Sequence, residues 1–107
     1  MLAAPTVASV TIDAVSPEGE AFVIELEVGT PYQCETGEWA CPIALGGLYD
    51  RLQDMHGVDS YQALCLAMRL AQDLLQDFRE KGGKLLTGTE NFPLEAYAFR
   101  RVIPPAP

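Results

Sequence analysis

The chain opens on alternation. From Thr6 to Val15 the even positions Ala8, Val10, Ile12 and Ala14 are apolar, and Ser9, Thr11 and Asp13 separate them. That period of two belongs to a strand buried on one face. Ser16-Pro17-Glu18-Gly19 follows as a turn, with proline presetting φ at its second position and glycine free to take a positive φ at its last. Phe22, Ile24, Leu26 and Val28 then repeat the register with Glu25 and Glu27 on the other side, which predicts a hairpin with one apolar and one acidic face. Gly29-Thr30-Pro31 ends it. After a loop through Cys34 and Gly37, the residues Trp39, Cys41, Ile43 and Leu45 alternate again; Pro42 among them has no N–H for a ladder, so this strand is expected at an edge or at a bulge. Gly46-Gly47 predicts a tight turn into a fourth element, residues 48–55. We read that element as a strand, although Leu48, Leu52 and Met55 also fall at helical spacing.

The strongest pattern comes next. Asp59 is placed to cap a helix, Gln62 to reach back over its first turn, and Gly82-Gly83 to end it in left-handed conformation. Between these limits Ala63, Leu64, Ala67, Met68, Leu70, Ala71, Leu74, Leu75 and Phe78 gather on one side of a helical wheel. Gln62, Arg69, Asp73, Gln76 and Glu80 occupy the other. The stripe is wide enough to cover a sheet, with Leu64, Met68, Leu74, Leu75 and Phe78 expected inside beside Phe22, Ile24 and Leu26. Leu66 stands on the polar side, a hint of contact with another chain. The expectation is an α+β fold: an antiparallel sheet of about four strands covered on one face by a single long helix, in the order β-β-β-β-α, then a short C-terminal segment. Residues 1–101 form one domain in this reading and 102–107 a proline-rich tail.

Composition narrows the class. The chain has 107 residues, 49% apolar and 21% charged, a balance that excludes disorder and membrane insertion and allows a core without disulfides or metal. No apolar run approaches the roughly 20 residues of a bilayer span. The first residues hold no base and no long apolar stretch, so they do not read as a secretion signal, and a cytoplasmic location is expected. Cys34, Cys41 and Cys65 are odd in number and irregular in spacing, so reduced thiols are expected over a Cys34–Cys41 disulfide. The formal charge of −8 is uneven, because no lysine or arginine precedes Arg51 while residues 13–50 carry eight of the 15 acids. Such a surface repels nucleic-acid phosphates and anionic lipid, and it favours a basic partner or solubility alone.

Three segments together carry a resemblance. Trp39-x-Cys41-Pro42, then Gly57-Val58-Asp59-Ser60-x-Gln62-Ala63-Leu64-x-Leu66-Ala67-x-Arg69, then Leu85-x-x-Gly88 ahead of Phe92-Pro93, resemble a family of small bacterial proteins known only as a domain of unknown function. The likeness spans about residues 20–93. It implies no established activity, cofactor or catalytic residue, and Tyr61 and Cys65 stand where other bulky aliphatics would serve.

Candidate chemistry is sparse. His56, Asp59 and Ser60 lie within five positions and nominally supply base, orienter and nucleophile, but Asp59 and Ser60 already have work at the helix start, so no catalytic residue is assigned. Cys34, Cys41, His56 and Cys65 are suitable ligand types for a metal without any Cys-x-x-Cys or His pair, and no metal or other cofactor is expected. Gly46-Gly47 and Gly82-Gly83 lack the context of a phosphate loop. Trp39, Tyr32 and Tyr49 fit core or cross-strand packing better than a ligand groove. Two readings follow. One is a non-enzymatic interaction protein, an adaptor or immunity-like domain that meets a basic protein through Asp13, Glu25 and Glu27, with a homodimer through the Pro42 edge or Leu66. The alternative is a small enzyme or ligand-binding domain with its site near His56 and the N-terminus of the helix.

Overall fold

The computed structural model describes residue 2 and residues 5–97. The two alternating segments form the hairpin they predict: β1 (Thr6–Val15) and β2 (Ala21–Gly29) pair antiparallel with Ile12 opposite Ile24 and Thr11 opposite Glu25. Their turn closes as expected, with the Gly19 N–H donating to the Ser16 carbonyl at 2.8 Å and Gly19 at φ 94. The Trp39–Leu45 stretch is not one strand. β3 (Tyr32–Gln33) and β4 (Trp39–Cys41) form a small hairpin, Pro42 interrupts, and β5 (Ile43–Gly46) continues on the edge of a different sheet, against β2.

Residues 48–54 form no strand, contrary to the expectation for 48–55. The N–H groups of Leu48 and Tyr49 both donate to the Leu45 carbonyl, at 3.1 and 2.9 Å, so the backbone curls away directly after Gly47. Glycine is required there: φ is 92, and a Cβ would stand 2.2 Å from the Val23 carbonyl oxygen. Leu48, Tyr49 and Leu52 then fold back onto the core from a loop, which their non-alternating spacing permits and a strand would not. Only β6 (Met55–Gly57) is extended, and it pairs with β4.

Helix α1 (Ser60–Glu80) has the predicted limits. An Asp59 carboxylate oxygen accepts from the Gln62 N–H at 2.7 Å, and the Gln62 side chain reaches back to accept from the Val58 N–H at 2.8 Å. At the other end Gly82, at φ 102, and Gly83 donate to the Arg79 and Phe78 carbonyls at 3.1 and 3.0 Å, satisfying the last turn. Beyond it β7 (Lys84–Thr87) pairs with β1, β8 (Glu90–Asn91) pairs with β7, and a 3-10 turn covers Leu94–Tyr97. Among the described residues the result is α+β: a five-stranded antiparallel sheet in the order β5-β2-β1-β7-β8, a three-stranded sheet β3-β4-β6, and one α-helix packed against both. The proline-rich tail 102–107 lies outside the described residues.

The core corrects one detail of the helix. Its deepest row is Ala63, Ala67, Ala71, Leu75 and Phe78, while Leu64, Met68, Leu70 and Leu74 flank it half-buried. Small side chains on the central row let the backbone sit close to the strands, which the wheel alone does not reveal. At Gly57 the approach leaves no room for a side chain, since a Cβ there would lie 2.7 Å from the Ala63 backbone nitrogen. At the far end Phe78 meets Phe22 edge to face, ring centroids 5.8 Å apart, and lies over Gly83, where a Cβ would stand 2.4 Å from its ring.

Two outcomes test this packing in a reversible urea melt. Leu75→Ala is expected to cost about 2–5 kcal/mol, and half-buried Leu74→Ala distinctly less. Gly57→Ala, although it adds a single methyl, is expected to cost about 1–3 kcal/mol because backbone rather than a flexible side chain opposes it.

Candidate functional site

The large sheet has two unlike faces. Ile12, Ala14, Ile24 and Val28 point toward α1 and are buried. The register places Ser9, Thr11 and Asp13 of β1 with Glu27, Glu25 and Val23 of β2 on the opposite face, which carries no helix among the described residues. Asp13, Glu25 and exposed Val23 therefore form one surface with Glu27, whose carboxylate accepts from the Thr6 hydroxyl at 3.4 Å. Lys84, opposite Val15 on β7, belongs to the same face. Leu66 does not join it: it lies half-buried on α1, in the other layer.

The small sheet divides the second set of candidates. Trp39 pairs with Gly57, and this face turns toward the start of α1, where Trp39, Thr30, Pro31, Ser60, Tyr61 and Leu64 line a shallow pocket of about 420 Å³. Ala40 pairs with His56, so the imidazole is on the opposite face. There His56 Nδ1 stands 3.7 Å from Glu38 Oε2. Asp59 is engaged as the helix cap. His56, Asp59 and Ser60, close in sequence, are thus each given different surroundings, and the sheet separates His56 from Ser60.

Strand pairing assembles a group that sequence distance conceals. Tyr32 is opposite Ala40, and the Cys34 N–H donates to the Glu38 carbonyl at 2.7 Å, so Tyr32, Cys34, Glu38 and His56 share one face. Donor atoms of Cys34, Glu38 and His56 lie within 4.8 Å of one another. Glu38 escaped the sequence reading; its only trace there is its place four residues after Cys34, across a turn closed by Gly37 at φ 96. Beside this group the Tyr32 hydroxyl donates to an Asp54 carboxylate oxygen, and that bond to an anion pushes the phenol up to about 12. The other thiols lie elsewhere. Cys41 is buried and donates to the Gly29 carbonyl at 3.3 Å, with burial pushing its pKa up and keeping it protonated, and Cys65 is on α1.

Residues 9–99 match the family described as a domain of unknown function, DUF6968. The chain belongs to that family. No curated protein and no solved structure matches it. DUF6968 membership assigns no reaction or ligand, so the geometry bears the functional argument. Among the described residues no helix is long and apolar enough to cross a membrane. An apolar cavity of about 210 Å³ opens between the hairpin and α1 beside Val10, Leu26, Met68, Leu75, Phe92 and Leu94. Its one amide, Gln72, already donates to the Leu94 carbonyl at 3.2 Å. Among the described residues no carboxylate, histidine or thiol lines it, and Ser9, Gln72 and Tyr97 are its polar residues.

The Tyr32–Asp54 bond has a spectroscopic test. In an ultraviolet titration the Tyr32 phenolate is expected to appear only near pH 12, and Asp54→Asn is expected to return it toward the ordinary value of 10.0. Unchanged titration in Asp54→Asn would remove the bond from the account.

Proposed function

We propose that this chain is a non-enzymatic interaction domain, adaptor or immunity-like, that binds a basic protein partner through the open face of its large sheet. The observation that carries the reading is the gathering of Asp13, Glu25 and Glu27 on the face of β1 and β2 turned away from the helix. Carboxylates at alternate positions of one strand and diagonally across a pair repel one another at about 7–8 Å, a cost that a cationic partner removes on docking. Thr11 and Ser9 add hydrogen-bonding groups opposite Glu25 and Glu27, and Val23 adds an apolar contact. The same charge disfavours nucleic-acid phosphate and anionic membrane surfaces. Free thiols at Cys34, Cys41 and Cys65 suit a cytoplasmic setting. A homodimer is part of the proposal: β5 is a short edge strand among the described residues, and Leu66 supplies an apolar contact on the helix side.

A lysine-rich peptide serves as the probe. In an amide-shift titration at low ionic strength, the perturbed residues are expected on β1 and β2 around Asp13, Thr11, Val23, Glu25 and Glu27. Reversal of Glu25 and Glu27 to lysine is expected to slow association by roughly tenfold or more, with the difference shrinking as salt is added. Shifts confined to another surface, or a rate indifferent to both the reversal and salt, would overturn the assignment. For the dimer, light scattering at high concentration is expected to give twice the 11.6 kDa chain mass; the monomer mass would remove it.

A further inference from the structure

We propose that Cys34, Glu38 and His56 form a binding site for a divalent transition metal of the zinc class, with three protein donors and a fourth position open. The three are brought together by two pairings of short strands, β3 with β4 and β4 with β6, not by any local motif. One thiol sulfur, one carboxylate oxygen and one imidazole nitrogen are the donor types of borderline-soft cations. Magnesium and calcium, which demand oxygen donors, are disfavoured by the sulfur and the nitrogen.

The geometry is close to what such an ion needs. Metal–donor bonds of about 2.0–2.3 Å in a tetrahedron put neighbouring donors about 3.3–3.8 Å apart. His56 Nδ1 and Glu38 Oε2 already stand at 3.7 Å, and all three donor atoms fall within 4.8 Å. Side-chain rotation of under about one bond length closes the rest, and the His56 and Glu38 side chains are 51% and 48% exposed.

The surroundings hold the donors in place. The Cys34–Glu38 turn is closed by the Cys34 N–H on the Glu38 carbonyl at 2.7 Å and the Gly37 N–H on the Cys34 carbonyl at 2.9 Å. The Gln33 amide donates to the Gly37 carbonyl at 3.1 Å, pinning the turn from outside. Most telling is Thr36, whose hydroxyl donates to Glu38 Oε1 at 2.8 Å and leaves Oε2 as the oxygen facing His56. A hydrogen bond of this kind on the other carboxylate oxygen orients a ligating carboxylate. A plain surface pair between His56 and Glu38 needs neither the thiol nor this orientation. The fourth position faces solvent and takes water or a donor from a docked molecule.

Cobalt(II) is the probe, titrated into the reduced full chain in chelator-free buffer. The expected result is a sulfur-to-cobalt charge-transfer absorption that saturates at one metal per chain and is displaced by zinc. Cys34→Ser is expected to abolish the band and Cys65→Ser to leave it unchanged. Glu38→Gln and His56→Gln are each expected to weaken cobalt binding by roughly 10–100-fold or more. All four positions lie outside the deepest core, and circular dichroism establishes that each variant is folded before titration. As a second readout, zinc is expected to raise the melting temperature of the unaltered chain and not that of Cys34→Ser. The proposal is overturned by the absence of a band in the unaltered chain, by a band that survives Cys34→Ser, or by affinity indifferent to both Glu38→Gln and His56→Gln.

Discussion

The close approach of α1 to β6 at Gly57 is the constraint on which the rest of the structure depends. The helix cannot stand further off without opening the core beneath Ala63, Ala67 and Ala71, and it cannot come nearer because Gly57 is already without a side chain. Fixing β6 against the first helical turn fixes β4 through Trp39–Gly57 and Cys41–Met55, and β4 in turn fixes β3. The small sheet therefore inherits its position from the helix, and the donor face of that sheet inherits its position from the same contact. Asp59 contributes at the same point by capping the helix next to the place where Gly57 meets it.

The C-terminal segment is held by a different kind of force. Leu94 is buried, and Phe92 stacks on Tyr97 with ring centroids 5.0 Å apart. The Arg79 guanidinium pairs with the Glu95 carboxylate across the surface, holding that carboxyl below its ordinary range. Because the lowered value belongs to the folded state, whatever stability the pair adds is present above the unfolded pKa and is lost as pH falls through the folded one. Glu95 is exposed, so the apolar contacts of Leu94 and Phe92 outweigh the ion pair in holding the segment.

Much of this architecture could be read from the residues. The β1–β2 hairpin was legible because ten- and nine-residue strands carry several full periods of alternation, and α1 because both ends bear capping chemistry. The small sheet was not, since strands of two and three residues contain too few positions to show any period. The Leu48–Met55 stretch misled for a related reason: diglycine marks a turn without saying where the chain goes next. Asp13, Glu25 and Glu27 were placed on one face by parity alone, whereas Leu66 could be assigned to another layer only once the packing side of the sheet was known. Cys34, Glu38 and His56 meet across two strand pairings, and a residue-by-residue scan for metal ligands is blind to adjacency of that kind.

The Pro42 junction has a consequence for how the chain avoids sticking to itself. Trp39-Ala40-Cys41-Pro42-Ile43-Ala44-Leu45 is uncharged and, apart from the proline, composed of residues that suit a cross-β spine. Drawn out as one continuous strand, it would offer a partly unfolded neighbour a seven-residue template with no charge of its own, only Glu38 at its N-terminal end. Pro42 divides it into two stubs that bond to different sheets, and the Gly29 N–H takes up the Pro42 carbonyl at 2.9 Å, leaving that acceptor already used. The residue that routes the chain from one sheet to the other thus also keeps the apolar segment from presenting one unbroken ladder.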